Sequence, residues 1–173
     1  MRHRQAAAVS IAVVLAVAGV LGASTYAASS AFTLTSPAFK PGARIPPRFT
    51  CDGENSIVPL RWTGAPAGSR SFALIVDDPD APSGNFLHRL SWGIAGTAKM
   101  LPGTAPVEGA NGSGRPGWTG PCPPSGTHRY VFRLYALKSK LPLKAGADRD
   151  AFEAALKGRV LGVAKLIGRY SRD

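Results

Sequence analysis

The chain has few acidic residues, and this shortage restricts the partners that it can have. Ten aspartates and glutamates stand against 21 lysines and arginines, so the formal net charge is +11. Such a balance favours acidic partners such as nucleic acid, anionic lipid head groups or cell-envelope polymers. The basic residues form no dense run, however, and no nucleic-acid-binding motif is present. We therefore expect a soluble cationic protein without a nucleic-acid partner.

Cysteine is also scarce, since Cys51 and Cys122 are the only two in the chain. In an oxidising compartment two such residues can form a disulfide, and otherwise they are small, half-buried thiols. Both options stay open because the sequence does not give the distance between them. A Gly-x-Ser-x-Gly element is missing as well, so a serine hydrolase would lack its nucleophile.

The chain is rich in apolar residues, glycine and proline. Hydrophobic residues make up 45% of the 173 positions, which is enough for one domain with its own core. The 20 glycines and 15 prolines are scattered without a period. This pattern favours a loop-rich β protein over a collagen or a linker.

The amino terminus has the composition of a secretory signal peptide. A positive start at residues 2–4 precedes residues 6–23, which are all apolar or small, and Ala27 ends the run. We expect cleavage after Ala27, a signal peptide of residues 1–27, and one exported domain, periplasmic or secreted, of residues 28–173. No cysteine lies near this point, so lipid attachment is not indicated. The alternative is an uncleaved anchor, since about 20 apolar residues span a bilayer.

Five short segments have the composition of β-strands. Residues 71–76 are aliphatic and end at an Asp-Pro turn, and residues 130–137 are apolar on both faces, as in a central strand. Strand alternation predicts that His88, Leu90 and Trp92 share one face of the strand between them, with Arg89 on the other. The predicted strands are residues 32–35, 59–62, 71–76, 87–94 and 130–137.

The carboxy-terminal region changes to helical patterns. Asp150 and Glu153 have the spacing of a capping box, which predicts a helix over residues 151–157 that Gly158 ends. Apolar residues recur at helical spacing over residues 160–167 and predict a second short helix.

Acidic and imidazole side chains concentrate beside rigid prolines. Asp78 and Asp80 flank a proline, whose φ is fixed near about −65°. His88 lies in the following strand, and His128 and Tyr130 alternate at the start of a later strand, so they face the same way. Alone, an Asp-Pro-Asp turn is a common way to leave a strand. Together, these residues indicate a preformed pocket for a polar ligand.

Two chemistries could use this set of side chains. A metal hydrolase could take Asp78, Asp80, His88 and His128 as ligands, although their spacing matches no metal motif. A binding pocket for an anionic group would instead use imidazole N–H groups, the Tyr130 hydroxyl and backbone amides as donors. The acids would then orient the histidines and raise their basicity.

At these residues the chain closely resembles the phosphatidylethanolamine-binding protein family, in its bacterial branch of Raf-kinase-inhibitor-like proteins. The likeness runs in order from about Phe32 to Tyr170. The joint occurrence of an Asp-Pro-Asp-Ala-Pro block and a His-Arg-Tyr block is specific to this family, whereas either block alone is not. The matching stretches are residues 51–55, 76–82, 88, 120–124 and 126–132.

The resemblance implies a mainly β fold, namely a β-sandwich with a large central antiparallel sheet, a smaller sheet and short carboxy-terminal helices. It also implies a non-enzymatic binding protein without cofactor or metal. Its surface pocket would accept phosphate-like or carboxylate-like anions, including a phospholipid head group. By motif position, the pocket would be lined by Asp78, Asp80, Pro82, His88, Gly120, Pro121, His128 and Tyr130.

A protein partner is the main alternative to a small ligand. Residues 95–127 form a long segment rich in glycine and proline, and a compact domain rarely carries such a loop without a use for it. We expect it to wrap over the pocket and form part of its wall. Because some family members inhibit other proteins, the loop could instead serve a modulator such as a protease or kinase inhibitor.

The chain departs from the family pattern at Arg89, Arg159 and Lys165. These differences make the identity of the ligand less certain to carry over from the family than the fold.

Overall fold

The computed structural model describes residues 31–103 and 105–172, which form two antiparallel sheets and one α-helix. The predicted signal peptide, residues 1–27, lies outside the described residues. No helix within the described ranges is long and apolar enough to cross a membrane. The strands are β1 (Thr33–Thr35), β2 (Arg61–Thr63), β3 (Ser71–Asp78), β4 (Phe86–Ala95), β5 (Val107–Glu108), β6 (Gly126–Leu137) and β7 (Val160–Arg172), and the helix is α1 (Arg149–Leu156).

The small sheet consists of β1 and β2, and the large sheet has the strand order β5-β4-β3-β6-β7. All eight residues of β3 are buried, because this central strand has a hydrophobic core on each face. On one face Leu74 joins a core with Trp62 of the small sheet. On the other face Ile75 joins a core with Phe152 of α1. These layers confirm the predicted mainly β fold with a large and a small sheet.

Two strands extend beyond their predicted bounds, and the extensions carry polar residues into the sheet. β3 continues to Asp78 and β6 begins at Gly126, so Asp78 and His128 both lie within paired strands. The two strands are antiparallel neighbours, with Asp77 opposite Val131. The polar end of the sheet is therefore held by backbone pairing rather than by loops.

A β-bulge in β4 determines the direction of His88. Val76 of β3 lies opposite Arg89, whereas the next residue, Asp77, lies opposite Leu87. His88 is therefore the extra residue on its strand. Such a bulge breaks the regular alternation and points a side chain to a different face.

The bulge contradicts the prediction that His88, Leu90 and Trp92 share one face. Leu90 and Trp92 pack in the core beneath α1. His88 instead lies on the opposite face, where its ring centroid is 5.1 Å from that of Tyr130. The prediction was wrong because period-two alternation assumes an unbroken ladder of strand pairs.

Residues 160–167 belong to the strand β7, so the prediction of a second helix was wrong. Side chains alternate along β7, with Ala164 and Leu166 buried and Lys165 and Arg169 exposed. β7 also pairs with β6 along its whole length. Pairing with β6 stabilises a strand here, although the valines have the spacing of a helix. Their β-branched side chains also fit a sheet well.

The helix α1 confirms the first predicted helix, but its cap differs. Asp148 is the N-cap, because its Oδ1 accepts a hydrogen bond from the Ala151 amide at 2.9 Å. Asp150 lies in the first turn, so the prediction that it caps the helix was wrong. Gly158 follows the helix with φ of 69°, a left-handed conformation that commonly ends helices.

The two aspartates at the start of α1 should differ in their effect on stability. Asp148→Ala should lower the free energy of unfolding by about 1 kcal/mol, because the Ala151 amide loses its acceptor. Asp150→Ala should lower the free energy of unfolding by only a few tenths of about 1 kcal/mol, because this variant loses only the favourable interaction with the helix dipole. Urea unfolding of both variants tests this, and equal losses would contradict the assignment of the cap.

Candidate ligand-binding site

A cavity of about 200 Å³ opens where β3, β4 and β6 meet the segment before β6. It is lined by five of the eight predicted site residues. These five are Asp78, Pro82, His88, Gly120 and His128. The rest of the wall comes from residues that the sequence analysis did not assign to the pocket, namely Ala81, Ser83, Phe86, Thr119, Cys122, Pro123 and Pro124.

His128 is oriented by the carboxylate of Asp78 on the neighbouring strand. The distance from His128 Nδ1 to Asp78 Oδ2 is 2.7 Å, and both side chains are buried. Because a carboxylate accepts hydrogen bonds, Nδ1 carries the hydrogen. Nε2 is then the ring nitrogen left for a ligand. Asp78 is itself positioned by the Asp80 amide, which donates to Oδ1 at 2.9 Å.

His88 is oriented from the loop side of the cavity. Its Nδ1 donates to the carbonyl oxygen of Thr119 at 2.5 Å. Its Nε2 is buried and has no hydrogen-bond partner within the described residues. Burial lowers the pKa of His88 because the charged ring is poorly solvated, while the Thr119 carbonyl and the Asp78 charge oppose this shift only in part. The ring is therefore neutral at neutral pH.

Aromatic rings surround His88 and make its environment apolar. The ring centroids of Phe86 and Tyr130 lie 4.9 and 5.1 Å away in edge-to-face contacts, and that of Trp118 lies 6.2 Å away. Burial and the nearby Asp78 charge raise the pKa of Tyr130, so its hydroxyl keeps its proton. These contacts hold the His88 ring in one orientation.

Three predicted site residues lie outside the cavity lining. Asp80 turns away to Arg129, whose Nε and Nη2 donate to it at 2.8 and 2.6 Å. These bonds lower the pKa of Asp80 to about 2. Pro121 is buried, and its carbonyl accepts from the Cys51 amide at 3.1 Å. Tyr130 is fully buried beneath His88.

A disulfide fixes the loop wall of the cavity. Cys51 and Cys122 are bonded, with their Cα atoms 5.4 Å apart, which answers the question that the sequence left open. Asn55 adds a second attachment, because its Oδ1 accepts from the Gly120 amide at 2.8 Å. A side chain at position 120 would collide with Asn55 and with the backbone of Phe49. The segment that contains Cys51 and Asn55 therefore positions the wall without lining it.

The long segment 95–127 contributes to the cavity as expected, through Thr119 and Gly120. It also contains the short strand β5, whose Glu108 accepts hydrogen bonds from Arg89 Nε at 3.2 Å and from Ser91 Oγ at 2.7 Å. Within residues 31–103 and 105–172, no three histidine, cysteine, aspartate or glutamate side chains lie close enough to hold one metal ion.

Comparisons with known proteins agree with this geometry. The family model described as phosphatidylethanolamine-binding protein matches residues 35–171, a span that contains every cavity-lining residue. A relative from Methanothermobacter thermautotrophicus, named UPF0098 protein, is 48% identical over 148 residues, which cover 80% of this chain and 98% of the relative.

Two further similarities cover most of the chain. The protein LppC of Mycobacterium tuberculosis, whose name includes the word lipoprotein, is 42% identical over 149 residues, which cover 83% of this chain and 74% of LppC. A crystal structure described as a phosphatidylethanolamine-binding protein homologue from Chlamydia trachomatis matches with a TM-score of 0.80. Its sequence identity is 34%, and the match covers 84% of this chain and 100% of that chain.

The buried His88 should make stability depend on pH. Histidine in the unfolded chain titrates near about 6.5, and the pKa in the folded protein is lower. Between these two pKa values the unfolded chain binds one more proton. The contribution to stability is therefore complete above about pH 6.5 and is lost as the pH falls towards the folded pKa.

Urea unfolding between about pH 8 and pH 5 measures this dependence. His88→Gln should make the free energy of unfolding fall less steeply over this range, because glutamine does not titrate. All other titrating groups are common to both proteins and cancel in the comparison. Equal slopes for the two proteins would contradict a lowered pKa at His88.

Proposed function

The chain belongs to the phosphatidylethanolamine-binding protein family, and from this membership we propose that it is an exported, non-enzymatic protein that binds a small anion. The ligand is a phosphate-like or carboxylate-like group held between His88 and His128. One observation carries the proposal. Both Nδ1 atoms are engaged by protein acceptors, so Nε2 is the only nitrogen of each ring that remains for a ligand. Export is supported by the signal-peptide composition of residues 1–27 and by a relative named as a lipoprotein.

Anion binding in this cavity requires protons, because no lysine or arginine lines it. With neutral imidazoles, the charged group of the lining is Asp78, which repels an anion. When both Nε2 atoms are protonated, the cavity gains two charged N–H donors that outweigh this single carboxylate. Ligand binding should therefore be linked to proton uptake by His88, whose burial disfavours the charged ring before the anion binds.

The size and walls of the cavity favour a ligand no larger than a lipid head group. Its volume of about 200 Å³ is below the range of roughly 300–1,000 Å³ that drug-sized ligands occupy. Pro82, Phe86 and Pro124 form an apolar part of the wall, which suits the short carbon chain of a small phosphate ester. The imidazoles then face the charged end of the same molecule.

Calorimetric titration of the protein beginning at Ala28 with phosphoethanolamine tests this function. Affinity should rise as the pH is lowered from about 7.5 to about 6.5, by about tenfold per pH unit where one imidazole gains a proton on binding, because the ligand phosphate keeps most of its second charge over this range. His128→Asn should weaken binding about tenfold at the lower pH, because one charged donor is lost. His88→Gln should act in the same direction.

Asp150→Asn serves as the control, since Asp150 lies on α1 and does not line the cavity. It should bind phosphoethanolamine as the unmodified protein does. The proposal is refuted if affinity is the same at both pH values and unchanged in both histidine variants.

A further inference from the structure

A second concave site lies at the outer edge of β7 and shares no lining residue with the histidine cavity. It has a volume of about 170 Å³. We call it the arginine site, because two of its six lining residues are arginines. The lining residues are Gly42, Arg44, Thr127, Arg169, Tyr170 and Ser171.

The backbone places the two arginines side by side. The segment before Pro46 runs along the end of β7, where the Ile45 amide donates to the Arg169 carbonyl at 2.7 Å and the Arg169 amide donates to the Ala43 carbonyl at 2.9 Å. Arg44 and Arg169 are thereby bridge partners. Two guanidinium groups therefore start from neighbouring positions at one edge of the sheet.

The side chain of Arg44 is held at the rim of the site. Its Cζ lies 5.1 Å from the centroid of the Tyr170 ring, within the range of a cation–π contact. Its Nη2 donates to the Ser171 carbonyl at 3.4 Å. These contacts leave other guanidinium N–H groups of Arg44 available to a ligand.

Carboxylates of residues 31–103 and 105–172 do not balance the positive charge at the site. Within the residues that the structure describes, neither Arg44 nor Arg169 forms an ion pair with a carboxylate. The cross-strand neighbour of Arg169 is Arg129, a like-charge pair that disfavours the sheet. The acidic groups nearby are already paired, Asp80 with Arg129 and Asp52 with Arg172.

We propose that the arginine site binds a phosphate group. Guanidinium groups match phosphate oxygens with two parallel hydrogen bonds, and the Thr127 hydroxyl in the lining supplies a further donor. A bound phosphate would also offset the repulsion between Arg169 and its neighbours. Unlike the histidine cavity, this site carries permanent charge, so it needs no proton uptake and does not depend on the function proposed above.

The phosphate can belong to a dissolved ester or to an anionic phospholipid. Two probes separate these sources.

The first probe is glycerol phosphate, titrated calorimetrically at about pH 7.5, where the phosphate ester carries both of its negative charges. Arg169→Gln should weaken binding about tenfold, and Arg44→Gln/Arg169→Gln should weaken it further, because each guanidinium contributes charged hydrogen bonds. Above about pH 7, where the phosphate ester keeps both negative charges, the affinity should not change with pH. His88→Gln/His128→Asn should leave it unchanged, so failure at one site is distinguishable from failure at the other.

The second probe is a sedimentation assay with mixed phosphatidylglycerol–phosphatidylcholine vesicles against pure phosphatidylcholine vesicles. Binding to the anionic vesicles that is lost in the double arginine variant assigns the phosphate to lipid. A loss confined to glycerol phosphate assigns it to a soluble ester. Either result supports the site.

The matched control is Arg70→Gln/Lys138→Gln, which removes the same charge at the other end of β6 and β7. Both control residues are exposed, and Arg70 lies next to the Leu137 end of the ladder. The thermal unfolding midpoint of each variant confirms that it is folded. The proposal is overturned if the double arginine variant binds both probes like the unmodified protein, or if the control loses as much binding.

Discussion

The register between β3 and β6 is the constraint on which the rest of the structure depends. It sends Asp78 to the cavity face, where His128 needs a partner, and Asp77 to the opposite face. There Asp77 is fully buried and accepts from Arg133 at 2.9 Å and from Arg149 of α1 at 3.2 Å. A slip by one residue would exchange the two carboxylates. Such a slip would remove both the carboxylate that pairs with His128 and the carboxylate that binds Arg149 of α1.

The sequence predicted the strands well because the pattern of a buried strand is local. It failed where geometry depends on a partner strand. The bulge at His88 is visible only when residues are counted against β3, and β7 has a spacing that fits a helix until β6 is placed beside it. The same limit applies to the site. The family motif identified Asp78, His88 and His128, whereas the contribution of Thr119, a backbone carbonyl, leaves no signal in residue type.

The two proposed sites would recognise anions by different physical means. The histidine cavity is apolar around His88, and under the proposal it would take up a proton as the anion binds, so its affinity would follow pH. The arginine site is open, always charged and sensitive to salt, because exposed charges are screened over about 10 Å at 0.1 M ionic strength. The two sites lie near the same end of β6, where Thr127 and His128 point to opposite faces of the sheet. A single molecule could hold one phosphate group on each side of its sheet.

The disulfide ties the completion of the cavity to the place where the protein resides. Cys51 and Cys122 are 71 residues apart, with β3 and β4 between them, so the bond joins two segments that the folded sheet brings together. Cytosolic reductants keep such thiols reduced, so the bond does not persist there. If the protein is exported as proposed, its precursor would have the strands without the bonded wall until it reached an oxidising compartment.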